Sequence, residues 1–117
     1  VLAVLSAHVF SIEIVPRLGD TARERLARLG YANVEVRVGD GYRGWPEQAP
    51  FDRILLTAAP PEVPQALVDQ LAEGGILVAP VGPEGTTQRL LRVRKERGRI
   101  TREDLGLVMF VPMVRGR

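Results

Sequence analysis

Between His8 and Asp40 the chain spells a strand, an amphipathic helix and a second strand, and each strand runs into a carboxylate. His8–Val15 is rich in β-branched and aromatic residues and ends at Glu13-Ile14-Val15, the pattern of a buried strand. Pro16 suits the first turn of a helix, and Leu18, Ala22, Leu26 and Leu29 then recur at helical spacing, with Arg23, Glu24, Arg25 and Arg28 on the outer faces. Gly30 is a natural C-cap, so the helix is expected over Pro16–Leu29. Gly19 near its start costs ~1 kcal/mol against alanine and reads as a local weakness. Val34–Val38 is the next strand, its alternation with Glu35 and Arg37 suiting an edge with one wet face. Val38-Gly39-Asp40-Gly41 closes it.

The remainder extends this grammar and then changes it. Val1–Ala7 reads as the end of a helix, Gly39–Pro46 as a loop, and Phe51–Thr57 as an apolar strand of the kind buried on both faces. Pro60, Pro61 and Pro64 lead into a short helix over Pro64–Leu71, ended by Glu73-Gly74-Gly75, with Ile76–Val81 as another buried strand. From Gln88 onward helices disappear: Arg89–Lys95, a turn at Arg97-Gly98, then Leu107–Val114. The expected fold class is therefore α/β, a doubly wound Rossmann-like sheet with a C-terminal antiparallel hairpin, in a single domain over 1–117.

In such a sheet, a carboxylate at the tip of the second strand is placed to accept from the two hydroxyls of a nucleoside ribose. A second one, at the tip of the next strand, can reach the base. Glu13 and Asp40 fit that pair, and the glycines flanking Asp40 would let a planar ring approach closely. Each has a plainer reading, a solvated strand end for Glu13 and a Gly-Asp-Gly turn for Asp40; their spacing on successive strands favours the ligand. Thr57-Ala58-Ala59 ends a strand in small residues, which leaves open space at its carboxyl end. Tyr42 and Trp45 either wall a base pocket or cover the core edge. His8 and Asp52 lie at the opposite end of their strands, and Arg89, Arg92 and Arg94 read as a solvated face.

Composition narrows the chemistry. Sixteen basic against fourteen acidic residues leave a net charge of +2, so the pI of 9.7 reflects near-balanced arginines and offers little to nucleic acid. With no cysteine and one histidine in 117 residues, thiolate sites, disulfides and multi-histidine metal centres are excluded for this chain. The cysteine count fits a cytoplasmic location. No apolar run approaches the ~20 residues of a membrane span. Neither a catalytic triad order nor a Walker-type loop is present. Methyl transfer from a sulfonium cofactor needs none of these, because the leaving group is already good and the protein chiefly aligns donor and acceptor.

Ser11-Ile12-Glu13-Ile14-Val15-Pro16, Leu26-Ala27-Arg28-Leu29-Gly30-Tyr31, Gly39-Asp40-Gly41, Phe51-Asp52-Arg53-Ile54 with Thr57-Ala58-Ala59, Leu71-Ala72-Glu73-Gly74-Gly75, Pro80-Val81-Gly82 and Phe110-Val111-Pro112-Met113 together resemble the protein-L-isoaspartate O-methyltransferases, almost end to end. The resemblance implies S-adenosylmethionine as cofactor. It implies isoaspartyl residues of damaged proteins as substrate, methylated on their carboxyl groups for repair. It assigns Glu13 to the cofactor ribose, Asp40 and Gly41 to the adenine end, Ile14 to the cofactor site, and Thr57, Ala58, Ala59, Val111 and Pro112 to the substrate crevice. The alternatives are another S-adenosylmethionine-dependent methyltransferase, with a small-molecule or RNA acceptor, and a non-catalytic oligomerising fragment.

The family's Gly-rich cofactor loop, first strand and active-site serine would all precede Val1, which is not a methionine. The expectation is of a partial methyltransferase domain, its first central strand absent, and inactive on its own. An open gap at that strand would expose unpaired backbone and apolar surface. Further residues, another copy through strand exchange into a homo-oligomer, or a rearranged closure would each fill it.

Overall fold

A computed structural model describes residues 2–83 and 85–116. They group into two compact units, Val1–Gly41 with Arg115–Arg117, and Tyr42–Val114.

The first unit holds α1 (Leu2–Leu5), β1 (Val9–Glu13), α2 (Pro16–Arg28) and β2 (Val34–Val38). β1 and β2 pair in parallel from Val9↔Val34 to Glu13↔Val38, the pairing that a helical crossover between them imposes. α2 begins at the expected proline. It ends in a Schellman motif: Gly30, at φ +81°, donates to Ala27 O (3.2 Å), and Tyr31 N–H reaches Leu26 O (3.0 Å). Arg25 and Arg28 sit in the last turn, where cations complement the helix dipole. Asn33 ties the start of the unit together, its side-chain amide donating to Ala3 O (2.6 Å) and Ser6 O (3.1 Å).

Gly19 is not the weakness its propensity suggests. It is buried, and a Cβ there would stand 2.6 Å from a Val38 methyl and 3.8 Å from Glu13 Cβ. The missing side chain is what lets α2 lie close against the ends of both strands.

The second unit is a four-stranded sheet in the order β3-β4-β5-β6: β3 (Phe51–Leu55), β4 (Leu71–Val81), β5 (Gln88–Glu96) and β6 (Arg99–Val108). β3 and β4 are parallel, joined by a crossover containing α3 (Gln65–Asp69); the other pairs are antiparallel. Leu77 and Ala79 on β4 and Val93 on β5 are fully shielded and pack with Leu67, Val68 and Leu71. Their two-residue alternation is the strand period seen in the sequence.

Three expectations change here. β3 is an edge strand, and Asp52, Arg53 and Leu55 are exposed, so it is not buried on both faces. β4 starts at Leu71, five residues before Ile76. Glu73-Gly74-Gly75 loops out as an irregularity inside the strand, between the pairs Phe51↔Leu71 and Arg53↔Ile76, rather than ending a helix. The hairpin partner of β5 is Arg99–Val108, not Leu107–Val114. Arg97 and Gly98 both take positive φ, the geometry of a two-residue hairpin turn, which forces Glu96 opposite Arg99. The Glu73 carboxylate accepts from the N–H groups of Arg97 and Gly98, so the bulge and the turn brace each other.

Among the described residues no strand pairs with the second edge of β1 or of β3. Among the described residues no helix is long and apolar enough to cross a membrane.

Candidate functional site

Glu13 is the last residue of β1, and its carbonyl accepts from Gly39 N–H at 2.9 Å. That bond carries the parallel register one step past β2, so Glu13 and Asp40 both leave the carboxyl end of the same small sheet, on strands ~4.8 Å apart. Both are half-buried, as is Ile14, and α2 closes on this end through Gly19. Open α/β sheets bind ligands outside this end of their strands. Two carboxylates there provide acceptors for a diol and for a ring amine.

Gly39 does not adopt a left-handed backbone, and a Cβ on it would meet only Arg37 Nε, at 3.8 Å. A Cβ on Gly116 would lie 3.0 Å from Asp40 Cβ and 3.5 Å from its Oδ2, so the backbone at Gly116 runs close beside this carboxylate. A cleft of about 490 Å³ lies between α2 and β2, lined by Leu26, Tyr31, Val34 and Val36 among others, and neither Glu13 nor Asp40 faces it. Arg23 Nε donates to Val36 O inside it (2.9 Å), and it marks where one helix covers two strands incompletely. His8 sits at the other end of β1, 3.5 Å from the Glu35 carboxylate and stacked on Phe10.

In the second unit, the ladder of β3 ends as Leu56 N–H donates to Val78 O (3.0 Å). Thr57 is then exposed, Ala58 half-buried and Ala59 buried. Ala59 pairs with the segment after β6: its N–H donates to Val111 O (2.7 Å), and its carbonyl accepts from Met113 N–H (2.9 Å), bracketing Pro112. Thus Ala59, Val111 and Pro112, far apart in sequence, form one strip. Tyr42 and Trp45 are buried, with Tyr42 Oη donating to Met113 O at 3.1 Å, so the edge-covering role is the one they fill.

Two residues that sequence reasoning passed over support these segments. Gln70 Oε1 accepts from Trp45 N–H (2.9 Å), and its Nε2 donates to Arg43 O (2.9 Å). Gln88 Oε1 accepts from Phe110 N–H (2.7 Å), and its Nε2 donates to Phe110 O (3.2 Å) and Thr86 O (3.0 Å). The partners lie 22 to 27 residues away, apart from Thr86, so no local motif points to them. Among the described residues there is no group of three or more side chains able to hold a metal ion.

Comparison with known proteins is consistent with this layout. The family model for protein-L-isoaspartate(D-aspartate) O-methyltransferase matches residues 1–117. A protein-L-isoaspartate O-methyltransferase of Methanoculleus marisnigri is 52% identical over 97% of the chain and 51% of its own length. One from Myxococcus xanthus is 52% identical over 96% and 54%. The chain thus spans about half the length of the curated relatives it matches. Among solved structures, a protein-L-isoaspartate O-methyltransferase aligns with TM-score 0.83 and 30% identity, over 90% of this chain and 33% of that one. A putative one from Plasmodium falciparum, in complex with S-adenosyl-L-homocysteine, aligns with TM-score 0.77 and 31% identity, over 92% and 52%. The α/β class expected from the strand and helix order, and the Rossmann-like methyltransferase fold implied by the resemblance, are borne out.

Proposed function

The chain belongs to the protein-L-isoaspartate(D-aspartate) O-methyltransferase family, and from that premise we propose that the protein transfers a methyl group from S-adenosylmethionine to isoaspartyl carboxyls of damaged proteins. The observation that carries the reading is the pair Glu13 and Asp40, brought by the parallel register of β1 and β2 to one sheet end. Their acceptors fit a nucleoside: Glu13, with Ile14 beside it, takes the ribose hydroxyls, and Asp40 with Gly41 takes the adenine edge. When bound, the cofactor supplies a methyl group on a sulfonium leaving group.

The chain's own residues have positioning to do. The strip of Ala59, Val111 and Pro112, with Thr57 and Ala58 beside it, holds the substrate peptide. Small side chains leave room for a backbone, and the exposed Thr57 hydroxyl is available to a carboxylate. An isoaspartyl carboxyl is already ionised at neutral pH and needs no base to act as nucleophile, so alignment and exclusion of water carry the rate.

The test is methylation by the full-length protein of a peptide containing isoaspartate beside its aspartate twin. Transfer to the isoaspartyl peptide alone is expected. Equal transfer to both, or transfer only to a small molecule or RNA, would overturn the substrate assignment.

A further inference from the structure

Among the described residues of the second unit only two polar ones are buried, Gln70 at 8% exposure and Gln88 at 3%. We propose that they are positioning residues, Gln70 for the loop that follows the cofactor residues Asp40 and Gly41, and Gln88 for the substrate strip. This rests on the methyltransferase reading and adds to it.

Burying a primary amide costs free energy unless every donor and acceptor is met, and leucine would fill much the same volume without that cost. What glutamine adds is an acceptor and a donor on one planar group, which together imitate a neighbouring strand. Both residues use it that way. Each accepts from a backbone N–H and donates to a backbone carbonyl of a segment that lacks a regular ladder. A backbone N–H can only donate and a carbonyl only accept, so the orientation of each amide is settled by its partners.

Each segment held adjoins residues assigned to a ligand. Gln70 grips Arg43 and Trp45, and Arg43 closes the 3-10 turn Gly41–Arg43 that Gly41 opens. The fit is tight: Gly44 has φ +63°, and a Cβ on it would lie 2.2 Å from Gln70 Oε1. Gln88 grips both backbone groups of Phe110, immediately before Val111 and Pro112, while Ala59 pairs with Val111 and Met113 on the far side. β6 ends at Val108, so this strip lies outside the regular ladder.

The test is a crossed one, on the full-length protein. Gln70→Leu is expected to weaken binding of S-adenosylhomocysteine about tenfold, which is ~1.4 kcal/mol, measured by calorimetry, and to leave the KM for an isoaspartyl peptide within twofold. Gln88→Leu is expected to do the reverse, raising the peptide KM about tenfold and leaving the cofactor-product affinity within twofold. A purely structural role predicts that cofactor-product binding weakens and the peptide KM rises together in each variant, or that neither moves; either pattern overturns the proposal. If Gln70→Leu does not fold, Gly44→Ala breaks the same clamp from the loop side and must give the same loss of affinity. If Gln88→Leu does not fold, Gln88→Glu keeps the acceptor for Phe110 N–H, loses the donor, and must raise the peptide KM alone. A wild-type protein that neither binds S-adenosylhomocysteine nor methylates the isoaspartyl peptide sinks the functional reading itself. An active wild type with uncrossed variants sinks only the assignment of the glutamines.

Discussion

The two units are written in the same strand-and-helix grammar but differ in what they bury. In Tyr42–Val114, β4 is flanked on both edges and packs with α3, and every buried hydrophobic residue of the described chain lies there. In the unit Val1–Gly41, two strands carry one principal helix, and the only buried residue described is Gly19. Leu18, Leu29 and Val15 remain 40% exposed or more. A two-stranded ladder with one covered face is marginal by itself. Correct local pattern therefore does not guarantee a core; that requires apolar layers on both faces of the sheet. The carboxylate pair sits in the unit with the fewer buried residues.

The sharpest way to break this comparison is to delete equivalent volume in both units. Leu77→Ala removes a side chain with no exposed surface and should cost about 2–5 kcal/mol. Ile12→Ala, on half-buried β1, should cost about 1 kcal/mol or less, since its contacts are fewer and water already reaches it. Chemical denaturation of the two variants measures both. Equal losses would show that the first unit is as firmly packed as the second.

Gly19→Ala asks whether the first unit has any tight contact at all. Alanine gains up to ~1 kcal/mol of helix propensity in a helix interior. Against this stands a Cβ 2.6 Å from the methyl of a β-branched strand residue, Val38, whose χ1 is stiff. Overpacking of that kind costs about 1–3 kcal/mol, so a net loss of roughly 1 kcal/mol is expected in thermal unfolding. A gain in stability would mean that α2 lifts freely from the strand ends.

Legibility followed the same divide between local and distant causes. β2 lies where its alternation puts it, and α2 ends one residue before its expected limit because proline and glycine punctuate it locally. The strand over Arg99–Val108 was missed because it is an edge. Arg99, Arg102, Glu103 and Asp104 keep that edge soluble and look unlike a strand. The apolar Phe110–Val114 looked like a strand, yet it holds only one isolated bridge, to Ala59. Glu13 and Asp40 were legible as strand tips. Gln70 and Gln88 were not, since a glutamine's value here lies in backbone partners more than twenty residues away. Gly19 misled for a related reason: propensity describes the helix alone, and the residue's role is set by Val38.

The smallest expected effect is on the charged face of the second unit, and it separates core from surface as the source of that unit's stability. Arg92 lies directly opposite Glu103 and donates to it from Nε (3.1 Å) and from a terminal nitrogen (2.5 Å), while Arg94 is one pair further along the same face. These hydrogen bonds, and then the charges of Arg92 and Arg94, hold the Glu103 carboxyl below the usual carboxylate range, with slight burial opposing them. A folded-state pKa below the unfolded one contributes stability that is present above the unfolded value and is lost as the pH falls through the folded one. NMR titration of the Glu103 carboxyl carbon should show this depressed midpoint, and Arg92→Gln should return it toward the ordinary range. Because the pair is exposed and screened by salt, the same substitution should leave the thermal midpoint at neutral pH almost unchanged. A large drop would mean that the hairpin's ion pairs, rather than Leu77, Ala79 and Val93, set the stability difference between the two units.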